Sequence, residues 1–180
     1  MEYDLIPHPD ALPHAIRHLS VVVTRQEQSI DLVYVLDGDL DALVVPPPGD
    51  PARADNLWQT TCFELFLADA DGGYTEFNFS PSSAWAHYQF SAYRIGTQPD
   101  ADLAVPAIEV RADGDGMLVN VSVPVAPDSP LLHPAAVGLS AVIEERDGGK
   151  SYWALVHAPG PPDFHNRDCF IATLPPPTRP

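Results

Sequence analysis

Proline decides what this chain can fold into. Twenty-one of its 180 residues are proline, clustered between apolar segments at Pro46-Pro47-Pro48, Pro159 to Pro162 and Pro175-Pro176-Pro177. A residue that cannot donate to a sheet ladder marks loops and ends. Further turn signals stand at Asp37-Gly38, Asp71-Gly72-Gly73, Asp113 to Gly116 and Asp147-Gly148-Gly149, where a positive φ comes cheaply. What remains is a series of short runs rich in Val, Ile, Phe, Tyr and Thr, with no helical pattern of 10–15 residues between them. The spacing predicts about ten strands: Leu19–Arg25, Ile30–Leu36, Gln59–Ala68, Tyr74–Ser80, Ala84–Tyr93, Ala107–Ala112, Met117–Pro124, Val137–Arg146, Ser151–His157 and Asp168–Leu174. Asp10–His18 is the one helix candidate, limited by Pro13 to a turn or two. We therefore expect an all-β, antiparallel β-sandwich of jelly-roll or immunoglobulin-like type with little helix. It should form one domain over residues 1–174, followed by a proline-rich tail at 175–180.

Charge narrows the partners. Nine Lys+Arg stand against 25 Asp+Glu, a formal net charge of −16, and Lys150 is the only lysine. Such a field repels phosphate backbones and anionic lipid, so neither nucleic acid nor a membrane surface is expected as partner. No apolar run approaches the length of a membrane helix, and Met1–His8 lacks the basic start and apolar centre of a signal peptide. The expected compartment is the cytoplasm. Cys62 and Cys169, far apart and each inside an apolar run, read as two reduced, buried thiols.

Alternation assigns side chains to faces, because consecutive strand residues point to opposite sides. Thr75, Phe77 and Phe79 are apolar enough for the core, which leaves Tyr74, Glu76 and Asn78 together on the other face. Phe63, Leu65 and Leu67 oppose Cys62, Glu64 and Phe66, so Glu64 is a carboxylate in apolar company. Ala84, Ala86, Tyr88 and Phe90 oppose Trp85, His87, Gln89 and Tyr93, and the second set, which mixes rings with polar tips, reads as the ligand face. In the last aromatic strand Trp153, Leu155 and His157 oppose Tyr152, Ala154 and Val156.

The run Leu57-Trp58-Gln59-Thr60-Thr61-Cys62-Phe63-Glu64-Leu65-Phe66-Leu67, then Tyr74-Thr75-Glu76-Phe77-Asn78-Phe79-Ser80-Pro81 and Trp85, resembles the DOMON-like superfamily, relatives of family 9 carbohydrate-binding modules. Tyr152 to His157, Pro162-Asp163-Phe164-His165 and Phe170 resemble a bacterial DOMON-like group. The resemblance implies a jelly-roll-like sandwich that binds haem or sugar in a pocket on one sheet. It does not say which.

A sugar site needs rings to stack on pyranose faces, with carboxylates and amides to fix the hydroxyls. Trp58, Glu64, Glu76, Asn78, Trp85 and Arg94, with Trp153, are the candidates, and non-catalytic binding of a small sugar or polyol is the leading expectation. A haem-binding redox or sensor module would draw axial ligands from His87, His157 or Met117. Asp37, Asp39 and Asp41 could hold a structural calcium ion, although Ala42 and Pro48 exclude an EF-hand. No GxSxG, HExxH, Walker or GxGxxG motif occurs, so a hydrolase would have to rest on Asp163 and His165. The stiff loop Ala158–Arg167 is expected to fold over one rim as a clasp, with Phe164 inserted in the core and Asp163 and His165 satisfying backbone groups.

Overall fold

The computed structural model describes residues 1–96 and 104–177. The strands are β1 (Glu2–Pro7), β2 (Ile16–Arg25), β3 (Ser29–Gly38), β4 (Ala52–Arg53), β5 (Cys62–Ala68), β6 (Tyr74–Phe79), β7 (Ala84–Phe90), β8 (Ala107–Asp113), β9 (Gly116–Pro124), β10 (Ala136–Glu144) and β11 (Lys150–Ala154). Among the described residues helix is limited to single 3-10 turns such as Leu57–Gln59 and Arg167–Cys169. Pro13 and its neighbours form no helix: Glu145 accepts the backbone N–H groups of His14 and Ala15, and Ile16–His18 already belong to β2. None of the described helices is long and apolar enough to cross a membrane.

The eleven strands hydrogen-bond into one sheet, in the order β4-β7-β6-β5-β10-β11-β1-β2-β3-β9-β8. Every pairing is antiparallel except the short parallel contact of β4 with β7. The expectation of two separate sheets thus takes a different form. β1 pairs with β2 through Glu2 to Leu5 and with β11 through Ile6 and Pro7, so a single strand carries the ladder from one half to the other. The sheet curls until the halves face each other across the core. The Tyr34 hydroxyl on β3 donates to the Glu64 carbonyl on β5 at 2.7 Å, and the rings of Tyr34 and Phe63 stand 4.8 Å apart. Leu19, Val21, Leu32, Val119, Leu65, Phe77 and Phe79 fill the space between. Burial of such side chains, at about 25 cal/mol per Å² of apolar surface, is the main drive for this closure.

β5 and β6 are buried along their whole length, on both faces. One face meets the core. The other is covered by the C-terminal segment, where Phe66, Tyr74, Phe90, Cys169 and Phe170 form a second apolar cluster. Both cysteines are buried and unpaired. The segment expected as a strand at Asp168–Leu174 is instead a 3-10 turn followed by one bridge, Ala172 to Val137. β11 pairs with Ser140 to Glu144 only, which leaves the start of β10 as an edge long enough for that bridge and no more.

Gly138 on β10 makes room for this cover. A Cβ placed there would stand 2.4 Å from Cδ1 of Phe170 and 3.1 Å from Cβ of Phe66, its partner across the ladder. Gly138→Ala should therefore destabilise by roughly 1–3 kcal/mol through overpacking, read as a lower denaturation midpoint. A neutral effect would mean that the Phe170 ring is free to move aside.

Candidate functional site

In an antiparallel ladder paired residues project to the same side of the sheet, so register determines what Glu64 and Glu76 share. Glu64 pairs with Asn78 on β6 and Ser140 on β10, Glu76 with Tyr88 on β7, and Val142 with Tyr152 on β11. All of these stand on the face away from the core. Of them Glu64, Glu76, Tyr88, Val142 and Tyr152 line a cavity of about 910 Å³, with the two carboxyls at its floor. One wall comes from β4 and the turn after it, as Arg53, Asp55, Asn56 and Trp58; Asn56, in the left-handed region at φ 63°, swings the chain into the turn that carries Trp58. Phe90 and Arg94, together with Pro162, Phe164 and His165 of the C-terminal segment packed beside them, complete the lining.

The floor is polar and buried. Glu64 is 3% exposed and Glu76 5%. Oε2 of Glu64 accepts from the Ser140 hydroxyl at 2.8 Å, and Oε1 of Glu76 from the Asn78 amide at 2.5 Å. Burial, reinforced by the charge of Glu76, pushes the Glu64 carboxyl up to about 8 against the Ser140 hydrogen bond. Burial also raises Glu76, with the Asn78 amide and Arg94 opposing it. His165 lies 3.7 Å from Oε2 of Glu76, but burial and then the Arg94 charge push its imidazole down to about 4. It is a neutral ring at physiological pH rather than half of an ion pair, and its Nδ1 meets the Tyr74 hydroxyl at 2.8 Å.

The cavity's cations are already paired. Arg94 binds Asp163 at 2.8 Å, and the Tyr93 hydroxyl donates to the same carboxylate. Arg53 binds Asp55 at 2.9 Å, with its guanidinium over the Tyr88 ring and the Tyr88 hydroxyl on the same carboxylate. Hydrogen bonds from Arg94 and Tyr93 hold Asp163 below the usual carboxylate range although its burial opposes this.

The sequence candidates divide accordingly. Trp58, Glu64, Glu76, Arg94 and His165 line the cavity, Asn78 supports Glu76, and Asp163 supports Arg94. Trp85 and Trp153 lie in the core. The ligand-face reading of β7 was inverted: opposite Phe77 and Phe79 stand His87 and Trp85, which the ladder turns inward, so Tyr88 and Phe90 face the cavity. His87 packs on Phe77 with ring centroids 4.7 Å apart, Met117 is 2% exposed in the core, and His157 meets the Ile6 carbonyl, so these haem-ligand candidates do not converge on one pocket. The acidic run does not converge either. Asp37 pairs with Arg17, and Asp39 caps the turn Leu40–Ala42. Among the described residues the grouping of metal-binding dimensions is another one, His14 with Glu145 and Asp147. The loop Ala158–Arg167 does reach the rim, yet Phe164 is half-buried on the cavity wall, and Phe170 is the ring that inserts. Arg53, Asp55 and Asn56 carried no signal in the sequence, because a two-residue parallel strand has no period to read.

Neither family models nor curated proteins give a match to this sequence. Solved structures do. A candidate carbohydrate-binding protein from Bacteroides uniformis ATCC 8492 superposes with a TM-score of 0.63 at 14% identity, over 95% of this chain and 84% of that one. A family 9 carbohydrate-binding module from Caldicellulosiruptor kristjanssonii, in complex with glucose, gives 0.46 at 10% identity, over 83% of this chain and 71% of that one. The first likeness, which spans nearly the whole of this chain and most of that one, shows that the curled sheet is a shared fold.

Proposed function

We propose that the chain binds a small sugar or related polyol, without catalysis, in the cavity floored by Glu64 and Glu76. The observation that carries this reading is the juxtaposition of buried, hydrogen-bonding carboxyl groups with rings at the mouth. Trp58, 51% exposed, offers its face for stacking, while Tyr152 and Phe164 add apolar wall. The Glu64 carboxyl, pushed up to about 8, can donate as well as accept, and Glu76 offers acceptor oxygens, which matches the hydroxyl groups of a sugar. The cavity volume lies at the upper end of the usual range for small-ligand pockets. The fold shared with a candidate carbohydrate-binding protein supports the reading, as does the sequence resemblance to carbohydrate-binding relatives.

Calorimetry against a panel of mono- and disaccharides is the test. Trp58→Ala should weaken the best ligand by roughly tenfold or more, equivalent to about 1.4 kcal/mol per decade, while the melting temperature stays nearly unchanged because half of the ring is already in water. Indifference of the protein to every sugar, or unaltered affinity in Trp58→Ala, would refute the assignment of this site.

A further inference from the structure

We propose that the sugar this cavity prefers carries an amino group, a hexosamine in its ammonium form, with the ammonium seated against Glu64 and Glu76. The inference rests on the sugar-binding reading above and specifies the ligand's chemistry.

It follows from the charges that face the cavity. Arg53 is neutralised by Asp55 at 2.9 Å, and Arg94 by Asp163 at 2.8 Å. His165 contributes no charge near neutral pH. Glu64 and Glu76 are what is left, and among the described residues neither carboxylate has a cation within hydrogen-bonding distance; the nearest basic atom is the His165 Nε2, 3.7 Å from Glu76. Their neutral partners satisfy one oxygen each: the Ser140 hydroxyl holds Oε2 of Glu64, and the Asn78 amide holds Oε1 of Glu76. The remaining oxygens, Oε1 of Glu64 and Oε2 of Glu76, belong to residues that line the cavity.

A neutral sugar would leave that negative charge buried and unbalanced, at a cost that grows as the ligand expels water. An ammonium group balances it and supplies three donors to acceptors that need them. Burial, and then the charge of Glu76, raise the Glu64 carboxyl, and an ammonium group beside the two carboxyls would favour their ionised forms. Ring faces at Trp58, Tyr152 and Phe164 favour a cation over an anion, and the formal net charge of −16 draws cations towards the protein. Acidic sugars are disfavoured for the same reasons, since both guanidinium groups are already taken.

The test compares glucose, glucosamine and N-acetylglucosamine by calorimetry on the intact chain at about pH 6.5, below the titration of the free amine. Glucosamine should bind at least tenfold tighter than the other two, because acetylation removes the charge and leaves the ring. In Glu76→Gln, checked for folding by its melting curve, the ratio of glucosamine to glucose affinity should collapse towards one. Equal affinities for the three sugars, or a glucosamine preference that survives Glu76→Gln, would overturn the inference and leave sugar binding standing. If none of these sugars nor any other binds, the sugar reading falls and the inference with it.

Discussion

Phe170→Ala should cost about 3–5 kcal/mol of folding stability. The ring is 5% exposed and stacks on Phe66 at a centroid distance of 5.3 Å and an interplanar angle of 26°, with Tyr74 edge-on at 5.8 Å. The backbone after it bridges to β10 through Ala172. Removing the ring leaves a void over a stretch of sheet that is buried on both faces. It also frees the segment that positions His165, whose ring packs on Phe66 and Phe90. Phe164→Ala should cost clearly less, since that ring is half-buried and meets Tyr152 at 6.2 Å across the cavity wall. Urea denaturation of the two variants side by side distinguishes the roles. A larger loss for Phe164→Ala would restore it as the anchor of the loop.

The contrast between these two phenylalanines shows where reading a sequence stops. Both stand near the chain end amid prolines, and nothing local says which one finds the sheet; that depends on Gly138, 32 positions earlier, lacking a side chain where Phe170 lands. Period-two alternation did separate Glu64 and Glu76 from Phe63, Leu65, Phe77 and Phe79, because those strands have one strongly apolar face to fix them. On β7 both faces carry rings, so alternation alone could not say which one points inward, and the register with β6 decided it. β1 carries no readable period for a related reason. In Glu2–Pro7 only Leu5 is buried, and the strand is specified by the two neighbours it joins rather than by a hydrophobic period of its own. Trp58, Glu64, Glu76 and Arg94 were legible as chemistry; that Arg94 and Arg53 arrive with their charges already spent on Asp163 and Asp55 was not, since the partners come from loops distant in sequence or too short to pattern.

The Glu64 carboxyl should make the protein less stable as pH rises from about 6.5 to 8, by on the order of 1–2 kcal/mol, in a range where an ordinary carboxylate is indifferent. Its folded-state value, about 8, lies above the ordinary 4.5. Between those values the folded protein holds a proton that the unfolded chain has released, so each increment of pH favours unfolding, and the stabilisation present below 4.5 is gone once pH passes 8. Glu76, also raised, acts in the same direction from 4.5 upward. His165 acts in the opposite one: its folded value near 4 lies below the ordinary 6.5, so between these the folded state binds fewer protons and gains stability with rising pH. His157, lowered by burial, adds to that compensation below 6.5. The two trends therefore offset each other in the acid range, and above 6.5 the carboxyl pair acts without opposition from the histidines. Thermal melts of the wild type at a series of pH values should decline over this upper window. Glu64→Gln keeps an acceptor for Ser140 but has nothing to ionise, so its melting temperature should decline less over this window than that of the wild type and exceed it at pH 8. If the decline persists unchanged in Glu64→Gln and disappears in Glu76→Gln, the high titration belongs to Glu76 and this account of Glu64 is wrong.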